Sequence, residues 1–183
     1  MNQPSDFFLT EEQLRERFEQ RVKDYVFRGY EPQGSPVLVL LGGQPAAGKS
    51  QAMAATQQRH PGRHLVPLTG DELRHLHPAI DRLRKTDAQT LEAGTAQASG
   101  AWVRMSIEHA LRNRHSLILE GVFRDPGMTM RTARQFAEEQ GYAVEVVALA
   151  VREERSRLDA LHRFLDGGRW TPPELQELAY RMV

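Results

Sequence analysis

Three features of the sequence predict an α/β fold, a parallel sheet with helices on both faces. Short apolar runs alternate with longer amphipathic segments along the whole chain. The first strong run, VLVLL, is continuously apolar, the pattern of a strand buried on both faces. It leads into GGQPAAGKS, a glycine-rich turn of the kind that opens a helix. Strands separated by helices call for right-handed βαβ units, and such sheets collect ligands beyond the carboxyl ends of their strands. A length of 183 residues with 40% hydrophobic and 26% charged content suits one domain, residues 1–183, with a full core.

Thr10 and Gln13 have capping-box spacing, and Leu14, Phe18, Val22 and Tyr25 recur at helical intervals, so a first helix spans residues 10–25. Residues 31–36, EPQGSP, read as a loop. Residues 37–41 form the first strand, followed by a helix from near Gly48 to about Arg59. HLVPL at 64–68 reads as a second strand, weakened by Pro67. Helix formers over 86–113 are interrupted by Gly94 and Gly100, which predicts one broken or kinked helix, or two. SLILEG at 116–121 is a third strand. Residues 129–140 are helical and stopped by Gly141. VEVVALAV at 144–151 is a fourth strand, followed by a charged helix to about Phe164. DGGR makes a loop, and Pro172-Pro173 opens a last helix that is still running at Val183.

Acids and bases balance at 24 each, so no global field recruits nucleic acid or an anionic membrane. The absence of cysteine excludes a disulfide scaffold and a thiolate metal site. The start, MNQPSDFFLTEEQ, lacks a basic stretch followed by an apolar one, and no apolar run approaches a bilayer span. A soluble cytoplasmic domain is the expectation, with neither nucleic acid nor membrane as partner.

Gly43-Gln44-Pro45-Ala46-Ala47-Gly48-Lys49-Ser50 satisfies G-x-x-x-x-G-K-[ST] at each fixed position and lies between a strand and a helix. Gly43 and Gly48 permit backbone angles and close approach that a side chain would block. Successive backbone N–H groups make a concavity for phosphate oxygens, reinforced by the positive end of the next helix. Lys49 is placed to reach the β- and γ-phosphates, and the Ser50 hydroxyl to ligate Mg²⁺. The motif specifies nucleoside triphosphate binding and is silent about the reaction. No Asn-Lys-x-Asp stretch supports a GTP switch, and a mechanical ATPase usually needs a larger body. A small-molecule kinase needs only a base, an acceptor pocket and arginines for the transferred phosphoryl group.

Candidates for these parts each carry an ordinary alternative. Asp71, after the second strand, is either a base for an acceptor hydroxyl or the cap of a helix starting at Glu72. His75 and His77 suggest a metal, but positions two apart diverge on a helix and no third ligand is apparent. Glu120 and Arg124 follow the third strand, where they hold acceptor, Mg²⁺ shell or phosphate, or else form a surface ion pair. Arg163 and Arg169 flank a glycine loop able to fold over a nucleotide, or are simply solvated.

Taken in order, these segments resemble the zeta toxin family of toxin–antitoxin systems, which are kinases built on a phosphate-binding loop. The resemblance runs from about Val37 to Trp170. It covers the loop with Gln44-Pro45, Gly70-Asp71 followed by Leu73-Arg74 and His77-Pro78, and Glu120-Gly121 with Arg124. Ser156 with Arg163 resembles a further segment, and Arg169 falls where the family has a second phosphate-contacting arginine. The resemblance implies a nucleoside-kinase-like fold, Mg²⁺-ATP as phosphoryl donor, and UDP-N-acetylglucosamine as acceptor, phosphorylated on a sugar hydroxyl. It further implies Asp71 as the general base, Arg163 and Arg169 as ATP contacts, Arg124 in catalysis, and Arg74, Glu120 and Arg124 on the acceptor side. An antitoxin partner follows from the same resemblance, and the first helix is either its dock or an ordinary packed helix.

Three departures bear on the acceptor. Val122 replaces the threonine of the family's EGTxR segment. Arg104 stands where some members carry a substrate-binding glutamate, with Glu108 one helical turn later on the same face as a substitute. The chain ends at Val183, where relatives commonly continue. A kinase for another small acceptor, an antibiotic or a nucleotide, and a nucleotide-binding module that has lost transfer are the competing readings.

Overall fold

The computed structural model describes residues 3–121, 126–167 and Glu177. The chain groups into two compact units, Met1–Tyr30 with Leu68–Asn113, and Glu31–Pro67 with Arg114–Val183.

The second unit is built on a parallel sheet. Strands β1 (Val37–Gly43), β2 (Val66–Leu68), β3 (Leu117–Glu120) and β4 (Ala143–Leu149) are ordered β2-β3-β1-β4. Leu38 to Leu41 pair with Leu117 to Glu120, and Val37 to Gly43 pair with Ala143 to Leu149, both in parallel. Central position explains the continuous apolar run of β1, since Val37 to Leu41 are all at most 1% exposed. Pro67, which has no N–H to give a ladder, sits in the edge strand β2. Val37, Val39, Leu41, Leu65 and Ile118 form one core cluster, against which Ala52, Met53, Val147 and Leu149 pack. Helix α3 (Lys49–Arg59) supplies Ala52 and Met53, so it covers that face. Helix α7 (Pro126–Arg134) continues into a π turn at Gln135–Glu139, whose Phe136 meets Tyr142 edge-to-face at 4.7 Å. Helix α8 (Glu153–Gly167) follows β4.

The first unit is helical. Helix α1 (Glu11–Arg17) begins at the expected capping box, with the Gln13 amide donating to Thr10 Oγ1 and the Thr10 amide to Gln13 Oε1. A π turn at Phe18–Val22 joins it to α2 (Lys23–Phe27). The wider turn holds the buried stripe at four-residue spacing, through Leu14, Phe18, Val22 and Val26, and leaves Tyr25 48% exposed. Tyr25 therefore does not belong to the inward face, and its ring stacks edge-on to His75 instead. Short helices α4 (Gly70–Leu73) and α5 (Ile80–Leu83) precede α6 (Ala88–Asn113). Fully buried Trp102 donates its indole N–H to the Leu14 carbonyl at 3.1 Å, and Gln97 bonds both the N–H and the carbonyl of Leu9.

Helix α6 is one continuous element of 26 residues, not the broken or paired helix expected from its two glycines. Gly94 persists because a Cβ there would lie 2.8 Å from Leu83 Cδ2 and 3.5 Å from the Phe7 ring. Gly100 faces open space. Packing accounts for the glycine at 94 alone, and the helix runs on through Gly100 despite its propensity cost. The last predicted helix, beyond Pro172, lies outside the described residues apart from Glu177.

Two buried histidines set a pH dependence. The His77 ring accepts from the Ala79 amide through Nδ1, so its proton sits on Nε2, which donates to the Phe7 carbonyl at 3.0 Å. Burial lowers the pKa of His77 against the smaller opposing pull of that carbonyl, and burial likewise lowers that of His115. A depressed histidine pKa means that the unfolded chain binds more protons, so stability is complete above the ordinary value and is lost as pH falls through it.

Two outcomes follow from this packing. Urea midpoints are expected to fall as pH drops from about 7 to about 5, with a shallower fall in His77→Asn. Gly94→Ala, which must displace the buried Leu83 methyl group, should be less stable than Gly100→Ala, which should gain about 0.5–1 kcal/mol, both by denaturant unfolding.

Candidate functional site

The glycine loop occupies residues 44–48, between the end of β1 and the start of α3. The Ala47 amide bonds the Gln44 carbonyl at 3.2 Å, closing a tight turn. Gly48 is left-handed at φ 83°, and Ala46 is also left-handed at φ 58°. For a residue with a side chain that conformation costs about 1–2 kcal/mol, so the surroundings must hold it. The first amides of α3 have no carbonyl within the helix to bond, and with the helix dipole they favour an anion at this end. Lys49 folds back over the turn, its ammonium donating to the carbonyls of Gln44 at 2.9 Å and Gly43 at 3.3 Å. Ser50, in the first turn of α3, is exposed.

Neighbouring strands fix the base of this loop. A Cβ on Gly43 would lie 2.8 Å from Leu149 Cβ and 2.9 Å from the Leu149 carbonyl oxygen. Only glycine permits β4 to come this close. Gln44 is 3% exposed, and its side-chain oxygen accepts from the Val151 amide at 3.4 Å. The Ser156 hydroxyl donates to the Pro45 carbonyl at 2.8 Å. On the other side, Leu41 pairs with Glu120 and accepts from the Gly121 amide at 3.0 Å, so the part-exposed Glu120 ends β3 beside Leu41, two residues before β1 gives way to the loop.

On α8, Ser156 and Ala160 are buried, at 1% and 7% exposure. Arg163 lies seven residues beyond Ser156, two helical turns along nearly the same side, and is exposed. In the sequence Ser156 stands out only through the resemblance of the Ser156–Arg163 segment to the zeta toxin family; its contact with the loop is not legible there.

In the first unit, Asp71 lies within the first turn of α4, whose N-cap is Thr69. It is therefore not the cap of a helix starting at Glu72. Its carboxylate is 54% exposed and lies 3.3 Å from the Arg74 guanidinium. Arg74 is itself held on α6, donating to the Glu92 carbonyl at 2.7 Å and to Thr95 Oγ1 at 2.8 Å. Ser99 Oγ donates to the Gly70 carbonyl at 2.5 Å, fixing the residue just before Asp71. Glu108 is exposed and ion-paired with Arg112 at 3.1 Å, and Arg104 is exposed on the same helix. His77 is committed to Phe7 and Ala79, and no cluster of three metal-binding side chains occurs among the described residues. Arg124, Val122 and Arg169 lie outside the described residues.

A parallel sheet whose central strand runs through a lysine-bearing glycine turn into a helix defines the class: an α/β fold of the phosphate-binding-loop kinase type. The family model for zeta toxin matches residues 22–183, and the chain belongs to that family. Toxin PezT of Streptococcus pneumoniae is 29% identical over 137 residues, covering 75% of this chain and 53% of the relative. Toxin zeta of Streptococcus pyogenes is 24% identical over 156 residues, 85% of this chain and 53% of the relative. The chain thus spans about half the length of the curated relatives it matches. Among solved structures, one from the PezAT chromosomal toxin–antitoxin system of Streptococcus pneumoniae matches with a TM-score of 0.75 at 24% identity, over 88% of this chain and 67% of that one. A putative kinase from Chloroflexus aurantiacus matches with a TM-score of 0.56 at 22% identity, over 81% and 77%. The complex of AvrRxo1-ORF1 and AvrRxo1-ORF2 with ATP matches with a TM-score of 0.52 at 18% identity, over 91% and 52%. These structural likenesses establish the fold.

Because Gly43 meets β4 backbone, Gly43→Ala should destabilise the chain by about 1–3 kcal/mol, read as a lower thermal midpoint.

Proposed function

We propose that this chain is an ATP-dependent small-molecule kinase acting as the toxin of a toxin–antitoxin pair. The acceptor in this reading is a sugar hydroxyl of UDP-N-acetylglucosamine or a related sugar nucleotide. The observation that carries it is the lysine-bearing loop, with its left-handed Gly48, its back-folded Lys49 and the open first turn of α3. Membership of the zeta toxin family, the PezAT relatives and the ATP complex of a structural neighbour support donor and partner class.

Mg²⁺ keeps several waters and takes one or two protein ligands besides substrate phosphates, so it does not need a cluster of acids. The Ser50 hydroxyl and the Glu120 carboxylate fit that donor set, Ser50 in the first turn of the helix that follows β1 and Glu120 as the last residue of β3, the parallel neighbour of β1. When bound, the metal neutralises charge on the β- and γ-phosphates. Lys49 exchanges its loop carbonyls for phosphate oxygens, and the amides at the start of α3 donate to the same group. Asp71 takes the proton of the acceptor hydroxyl as the oxygen attacks the γ-phosphorus in line with the leaving ADP oxygen. Arg74, fastened to α6, orients the Asp71 carboxylate. Arg163, with Arg124 and Arg169 from outside the described residues, spreads the charge of a loose transition state. Glu120 and Glu108 complete the acceptor side.

The deciding measurement incubates the protein with ATP, Mg²⁺ and a panel of sugar nucleotides, antibiotics and nucleotides, and reads products by mass spectrometry. A phosphorylated UDP-N-acetylglucosamine is expected. Product only from another acceptor class, or none with ATP bound tightly, overturns it. Asp71→Asn should lower turnover by about 10²–10⁴-fold with ATP binding retained, whereas Lys49→Ala should weaken ATP binding itself.

A further inference from the structure

The last residue of β1 and the first two of the loop are gripped by one segment, from the end of β4 into the second turn of α8. Gly43 packs on Leu149, the Gln44 side chain accepts the Val151 amide, and the Pro45 carbonyl accepts the Ser156 hydroxyl. The last bond is the shortest of the hydrogen bonds in this grip, at 2.8 Å, and Ser156 is 1% exposed, so water does not compete for it. The next residue, Ala46, holds a left-handed backbone that a residue with a side chain does not adopt without support.

Peptide planarity turns this grip into aim. No cis peptide bond occurs among the described residues, so the Pro45–Ala46 unit is trans and its carbonyl and N–H point in opposite directions. With the carbonyl fixed on Ser156, the Ala46 N–H is held pointing away from α8. Were that unit to rotate, the loop would present a carbonyl oxygen where a phosphate requires a donor. The bond spans 111 residues of sequence and ties the loop to the helix that carries Arg163.

We propose that Ser156 is a positioning residue for phosphate binding: without touching the nucleotide, it locks the Pro45–Ala46 peptide with its donor presented. This inference rests on the reading of the loop as an ATP site.

ATP affinity by titration calorimetry, and the rise in Tm on adding ATP, are measured for the unaltered chain, Ser156→Ala and Lys49→Ala. Ser156→Ala is expected to weaken ATP binding about tenfold, as loss of one partner of a buried hydrogen bond does. The ATP-induced rise in Tm should shrink accordingly, whatever happens to the ligand-free Tm. A lower ligand-free Tm with unchanged ATP affinity would mean a merely structural role and overturns the proposal. Should Ser156→Ala not fold, Ser156→Cys keeps the shape with a weaker donor, and ATP affinity equal to that of the unaltered chain then overturns it. Binding lost in Lys49→Ala but intact in Ser156→Ala removes the positioning role and leaves the loop's function standing. Failure of the unaltered chain to bind ATP removes both.

Discussion

The contact of Gly43 with Leu149 is the constraint on which the second unit depends. Seven residues of β1 pair in parallel with seven of β4, and the pairing ends where a Cβ on Gly43 would meet both side chain and backbone of Leu149. Because no side chain intervenes, β4 stays in register to the last residue of β1, and the chain leaves it beside the loop. Only then can Val151 reach Gln44 and Ser156 reach Pro45. The first glycine of the motif therefore serves packing, whereas Gly48, at φ 83°, serves backbone conformation. The two glycines of one motif answer two different physical demands.

The first unit solves a different problem, which is to hold an exposed carboxylate in one place. An ion pair between solvated groups such as Asp71 and Arg74 contributes only about 0–1 kcal/mol, so stability does not explain it. Its geometry does. Arg74 is anchored by a carbonyl and a hydroxyl of α6, and Gly70 by Ser99 of the same helix, so both ends of the Asp71 segment are referred to one long rigid element. The continuity of α6 through Gly94 and Gly100 is what makes that reference rigid. Elsewhere the unit is knitted by side chains that bond backbone, as Trp102 does to Leu14 and Arg17 to Leu76. The Arg17 bond satisfies a carbonyl at the end of the short turn Arg74–Leu76, and the Trp102 bond adds a second donor to a carbonyl that already accepts from Phe18 within the first helical run.

Much of this was readable from residue order. The capping box at Thr10, the buried strand at 37–41 and the loop motif at 43–50 are local codes, each satisfied within a few residues. The ordered family segments, from Gly43 to Arg163, were legible for the same reason. Tyr25 was misplaced because a π turn widens the repeat, and nothing local announces it. Gly94 was misread as a break because its reason for being glycine, Leu83 of the preceding helix, becomes a neighbour only after packing.

By itself, the sequence determined the element types, the strand–loop–helix that carries Lys49 and Ser50, and the residues available to its chemistry. Tertiary structure alone decided the strand order β2-β3-β1-β4, the approach of Leu149 to Gly43 and the hold of Ser156 on Pro45. Hydrophobic periodicity tells which face of an element seeks burial, because that depends on spacing along one chain segment. It does not name the surface that will cover that face, which depends on groups more than a hundred residues away.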